Sequence, residues 1–144
     1  MKKVILTLAI IAGSLGVFAS EENVNSQVLN AFKKEFKAAS NAQWTEGENF
    51  YKVSFEYNAQ HITAFYTPEA ELIGITRNIS SLDLPVSLQT KLRNDYNGYW
   101  VADLFEYSTS GSTTYYITME NADGKKVLQS SGGDWVTYKK ITKI

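Results

Sequence analysis

The chain of 144 residues predicts an α+β fold: a tandem repeat of one helix followed by an antiparallel sheet of three to four strands, with the helices packed on one face. Three features point there. Two stretches place apolar residues at every fourth position, others alternate apolar and polar, and the second half repeats the order of the first.

The first element is an address rather than part of the fold. Lys2 and Lys3 precede an apolar run from Val4 to Val17, and Val17-Phe18-Ala19 supplies modest residues for a cleavage site. Residues 1–19 therefore read as a secretory signal cleaved near Ala19, and the run is too short for a comfortable membrane span. Its removal takes away two Lys and no acids, leaving 12 basic against 15 acidic groups, a net charge of −3. The mature chain is expected to be periplasmic or secreted, without stable membrane insertion.

Asn25 or Ser26 caps a first helix whose apolar stripe is Val28, Phe32 and Phe36, with Leu29 beside it and Lys33, Lys34 and Lys37 opposite; it should end around Ser40-Asn41. Tyr51 to Tyr57 alternates strictly, with Tyr51, Val53, Phe55 and Tyr57 apolar and Lys52, Ser54 and Glu56 polar, as in a strand with one buried face. Asn58-Ala59-Gln60 turns it into Ile62–Tyr66. A second helix opens near Asp83-Leu84-Pro85, carries Leu84, Leu88, Leu92 and Tyr96, and stops at Asn97-Gly98. Tyr115–Glu120 repeats the pattern of Tyr51–Glu56, the turn Asn121–Gly124 follows, and Lys126-Val127-Leu128 matches the strand after the first turn. Trp44 and Trp100 stand at corresponding places after the two helices. The halves run over about 24–80 and 81–144, within one domain from residue 20 to the end.

Composition excludes several functions. With 14 Lys+Arg against 15 Asp+Glu there is no basic excess for nucleic acid. The absence of Cys removes disulfides, thiolate metal sites and cysteine nucleophiles, and a single His cannot build a zinc site. That lone His61 lies in a hairpin turn with no Gly-x-Ser-x-Gly elbow in the mature chain, so it reads as a surface residue rather than a catalytic base. Glu69 with Glu71, or Asp103 with Glu106, lack a calcium-loop pattern and read as solvated acids. Ser130-Ser131-Gly132-Gly133 precedes a strand, so it reads as a connection and not a phosphate cradle. No catalytic residue, metal or cofactor is expected.

Phe50-Tyr51-Lys52-Val53-Ser54-Phe55 after Trp44, Phe65–Leu72, Leu82-Asp83-Leu84-Pro85 and Tyr96-Asn97-Gly98-Tyr99 together resemble a family of exported bacterial proteins. These are the β-lactamase-inhibitor-like, PepSY-like proteins common in Bacteroidetes, and the resemblance runs from about Val24 to the end. It implies a non-enzymatic periplasmic module built of tandem halves, a single PepSY-like domain, that binds or inhibits a partner. It brings no catalytic residues, and no inhibitory contact loop matches a position here. It also implies Asp-Gly-Glu at a strand turn where this chain has Glu69-Ala70-Glu71; alanine fits there with a negative φ or with strain.

The excess over an average composition is aromatic: nine Tyr, seven Phe and three Trp. If Tyr51 and Val53 face the helix, then Lys52, with His61 and Phe65 across the hairpin, faces away, and Tyr116 and Leu128 are expected on the equivalent face of the second half. These five residues form the candidate binding face for a protein or peptide partner in the cell envelope, because aromatics among polar groups mark such surfaces. A carrier of a small apolar or envelope-derived ligand and an unrecognised hydrolase are the alternatives.

Overall fold

The computed structural model describes the backbone of residues 17–19 and all of residues 21–142. The leader through residue 16 and Ser20 beside the cleavage site lie outside these, as do residues 143–144. The chain divides into two compact units, Met1–Ile73 and Gly74–Ile144.

The first unit contains strands β1 (Val17–Ala19), β2 (Ser40–Glu46), β3 (Tyr51–Tyr57) and β4 (Gln60–Tyr66), and helix α1 (Ser26–Glu35). Consecutive strands pair antiparallel. Asn25 is the helix cap; its side-chain oxygen accepts from the Gln27 N–H at 2.9 Å, satisfying one donor the first turn leaves free. The helix ends at Glu35, five residues before Ser40, although the apolar rhythm runs on to Phe36. Phe36 still packs on Phe55 at 4.8 Å and Tyr57 at 5.7 Å, so burial continues the periodicity after the helical backbone has stopped.

Phe32 sits edge-on to Trp44 at 5.3 Å and to Phe55 at 5.0 Å. Val53 pairs with Ala64 and Phe55 with Ile62, and all four are buried beneath α1. The alternation of Tyr51–Tyr57 was therefore a sound guide to which face the helix covers. Tyr66 closes this core, its phenol donating to Glu35 Oε1 at 3.4 Å. Burial and the Glu35 carboxylate both push that phenol far above its ordinary value.

The second unit has β5 (Leu72–Asn78, entering it at Gly74), helix α2 (Val86–Asp95), β6 (Trp100–Thr109), β7 (Ser112–Glu120), β8 (Gly124–Ser131) and β9 (Asp134–Thr142). From Ile75 on, β5 pairs with β6, and the following strands pair in sequence, all antiparallel. α2 starts later than the sequence suggests. Asp83 belongs to a separate short 3-10 turn over Ser81–Asp83, where Ser80 and Asp83 form a reciprocal capping box, and Pro85 stands at the helix cap. Leu84, Leu88 and Leu92 bury against Leu104, Ile117, Met119, Leu128 and Trp135. The Trp135 indole N–H donates to the Leu88 carbonyl at 3.1 Å, which fixes β9 against the helix.

Trp44 and Trp100 do not correspond. Trp44 is buried in mid-strand under Phe32, whereas Trp100 begins β6 and is 53% exposed; the residue that fills the place of Trp44 in the second unit is Leu104. Position in the helix-to-strand register, not residue type, decides which of them enters the core.

Candidate functional site

Antiparallel partners project to the same side of a sheet, so the ladders define the face away from each helix. In the first unit Lys52 pairs with Phe65, Ser54 with Thr63 and Glu56 with His61. The Ser54 and Thr63 hydroxyls lie 3.1 Å apart and share a hydrogen bond, and Glu56 accepts from the Asn41 amide at 3.3 Å. His61 and Glu56 are exposed, and Lys52 is half-buried with its pKa lowered by desolvation. Phe65 lies on this face as expected but is not open to a partner: it is 2% exposed, with the Phe50 ring 6.1 Å away.

In the second unit Tyr116 pairs with Gln129, and Ile117 with Leu128. Leu128 is thus on the wrong side for the candidate face. It is fully buried under α2, because matching it to Tyr116 displaced the register by one residue and so exchanged faces. Tyr116 is on the expected side yet only 2% exposed. Phe105 stacks on it at 5.2 Å, Tyr138 meets its edge at 5.6 Å, and its hydroxyl accepts from Gln129 Nε2 at 2.9 Å. Burial raises its phenol to about 12. A wide strand surface without a helix over it can therefore cover itself, because large rings lie across their neighbours rather than stand up from the sheet.

What remains accessible on this side is a border around that aromatic row. Trp100, opposite Glu120, is 53% exposed, and Val136, opposite Gln129, is 46% exposed; Tyr107 and Tyr138 are half-buried on the same face. Gly74 lies under the Tyr107 ring, where an added Cβ would come within 2.5 Å of it, so glycine there lets the ring lie flat. Trp100 and Val136 were absent from the sequence-derived face. The signal for Trp100 was the strand parity measured from Phe105, hidden by the irregular pairing between Val101 and Asp103; that for Val136 lay in the cross-strand register from Tyr116 through Gln129.

The helix side of the second unit also has an open groove of about 390 Å³ near the start of β6, lined among others by Leu82, Leu92, Tyr96, Tyr99, Val101 and Met119. Among the described residues no cluster of three His, Asp or Glu could hold a metal ion, and no helix is long and apolar enough to cross a membrane.

No family model matches the chain, and no curated protein matches it. Solved structures do. A BLIP-like protein from Bacteroides fragilis is 21% identical with a TM-score of 0.71, covering 83% of this chain and 88% of that one. A protein provisionally named as periplasmic, from Bacteroides eggerthii, is 16% identical with a TM-score of 0.76, covering 83% and 90%. A DUF2874 family protein from Bacteroides uniformis is 14% identical with a TM-score of 0.73, covering 82% and 88%. At these identities the likeness establishes the fold, which is α+β and BLIP-like, in keeping with the β-lactamase-inhibitor-like resemblance read from the sequence.

Proposed function

We propose that the mature chain is an exported, non-catalytic module that binds a protein or peptide through the helix-free face of its strands. The observation that carries this is Trp100, more than half exposed at the start of β6 on the same helix-free face as the Phe105–Tyr116–Tyr138 row, with Val136 exposed on that face too. Tryptophan contributes large contact area at little entropic cost and is enriched where binding energy concentrates. The BLIP-like and periplasmic names of the structural relatives support a binding role in the envelope, with inhibition of the partner as one form it takes. Cleavage near Ala19 delivers the chain there.

The reading includes one domain from residue 20 to the end, made by using a helix-plus-sheet motif twice. In support, residues 21–45 and 81–105 share the same succession of exposed, half-buried and buried positions. Of the five residues first named for the face, Lys52 and His61 stay in it as accessible polar groups. Phe65 becomes the floor of the helix-free face of the first unit and Tyr116 that of the second, and Leu128 leaves it.

The test is capture from an envelope extract with the mature chain, followed by Trp100→Ala combined with Val136→Ser. Both residues are exposed, so stability should stay within about 1 kcal/mol while capture of a defined partner is lost. Unchanged capture by the folded variant refutes the face. A second reading, carriage of a small apolar ligand, is favoured only by the groove beside Tyr96 and Tyr99; native mass spectrometry of the protein from its host should then find a bound molecule.

A further inference from the structure

The strands β9 and β2 are guarded very differently. β9, last of the second unit, carries exposed Lys139 and Lys140, and its pairing with β8 slips between Val127 and Leu128. Lysines and bulges are the ordinary means of keeping a strand edge from recruiting another strand. β2 has the sequence Ser-Asn-Ala-Gln-Trp-Thr-Glu, with no Lys, Arg or Pro, and its one irregularity lies between Ser40 and Gln43. Gln43 to Glu46 is regular. On the side of β2 away from β3, that regular stretch is already paired: Val17–Ala19 adds an antiparallel strand, Val17 opposite Glu46, Phe18 opposite Thr45 and Ala19 opposite Trp44. The residues that protect this edge are thus the last three before the proposed cleavage site.

We infer that the outer edge of β2 is a strand-acceptor site, covered by Val17–Ala19 before leader removal and pairing afterwards with the same edge of a second copy of this chain. The inference rests on cleavage at Ala19 but not on the sheet-face reading. Once the cover is cut away, the backbone N–H and C=O groups that it paired need another partner or water. An antiparallel edge is self-complementary about a two-fold axis. With Thr45 opposite Thr45, each Glu46 falls opposite Trp44 of the other copy, so no like charges face one another and the threonines pair favourably. The covering segment is three residues long, and the regular edge beneath it continues to Gln43.

Mass determination of the exported protein first establishes whether it begins at Ser20, which tests the cleavage separately. Sedimentation equilibrium then compares the chain from Ser20 with the chain from Val17, and amide exchange is followed at Trp44–Glu46. The expected result is a dimer for the former and a monomer for the latter. Exchange at the edge amides should slow at least about tenfold as the Ser20 chain is concentrated. A synthetic peptide of residues 14–20, supplying the cover in trans, should dissociate the dimer. A monomeric Ser20 chain overturns the inference, as does a dimer whose edge amides exchange as fast as in the monomer, or equal dimerisation of both chains. A Ser20 chain that stays monomeric yet binds the peptide retains the acceptor edge but refutes the second copy as its occupant.

Discussion

Ala59 and Ala70 hold left-handed backbone, φ 61° and 68°, where glycine is the usual occupant. Asn58, at φ 51°, makes the first a tight two-residue hairpin of the kind in which Asn-Gly is preferred. Ala70 follows Pro68-Glu69 in a loop closed by Thr67, whose carbonyl accepts from the Ala70 N–H at 3.0 Å and whose hydroxyl accepts from the Glu71 N–H at 3.1 Å. The departure from Asp-Gly-Glu is therefore met by strain. Ala59→Gly should relieve about 1–2 kcal/mol of strain. It also adds chain entropy to the unfolded state, for a net gain of about 0.5–1 kcal/mol in chemical denaturation. At Tyr116 the fold favours the neutral phenol, so that contribution is whole below pH 10 and is lost as pH rises toward about 12. Tyr116→Phe loses the Gln129 hydrogen bond but cannot ionise; its thermal midpoint should fall less steeply with pH in that interval.

At the level of elements, the two helices use different caps for the same end. Asn25→Ala should cost about 1 kcal/mol, since the Gln27 amide loses its acceptor, and urea unfolding will read it. Leu88→Ala should cost about 2–5 kcal/mol, because Leu88 is buried in the core that joins α2 to β6–β9. Strand faces were legible from alternation wherever pairing is regular, as at Tyr51–Tyr57. They became illegible where it slips: between Val101 and Asp103, and between Val127 and Leu128. An inserted residue reverses parity while leaving local composition unchanged, which is why Trp100 was overlooked.

For the molecule as a whole, stability must come from packing. The sequence contains no Cys, so a reductant should leave the thermal midpoint unmoved. Two ion pairs, Lys33–Glu21 at 3.1 Å and Lys91–Asp134 at 3.3 Å, are solvent-exposed and add little, whereas Arg77–Glu106, a two-pronged pair at 3.0 and 3.3 Å, is partly sheltered. Molar salt should therefore shift the midpoint only slightly, measured in the same thermal scan.

Composition and periodicity by themselves established the helix stripes, the Tyr51–Tyr57 alternation, the Asn121 turn and the absence of cysteine chemistry, because each follows from local rules that a few neighbouring residues satisfy. Which aromatic is covered was decided only by tertiary structure. Phe65 and Tyr116 alternate as exposed residues should, yet rings brought from other strands lie over Tyr116, and Leu128 changes sides with its partner Ile117. Burial on a sheet depends on what distant segments place across it, and no local pattern carries that information.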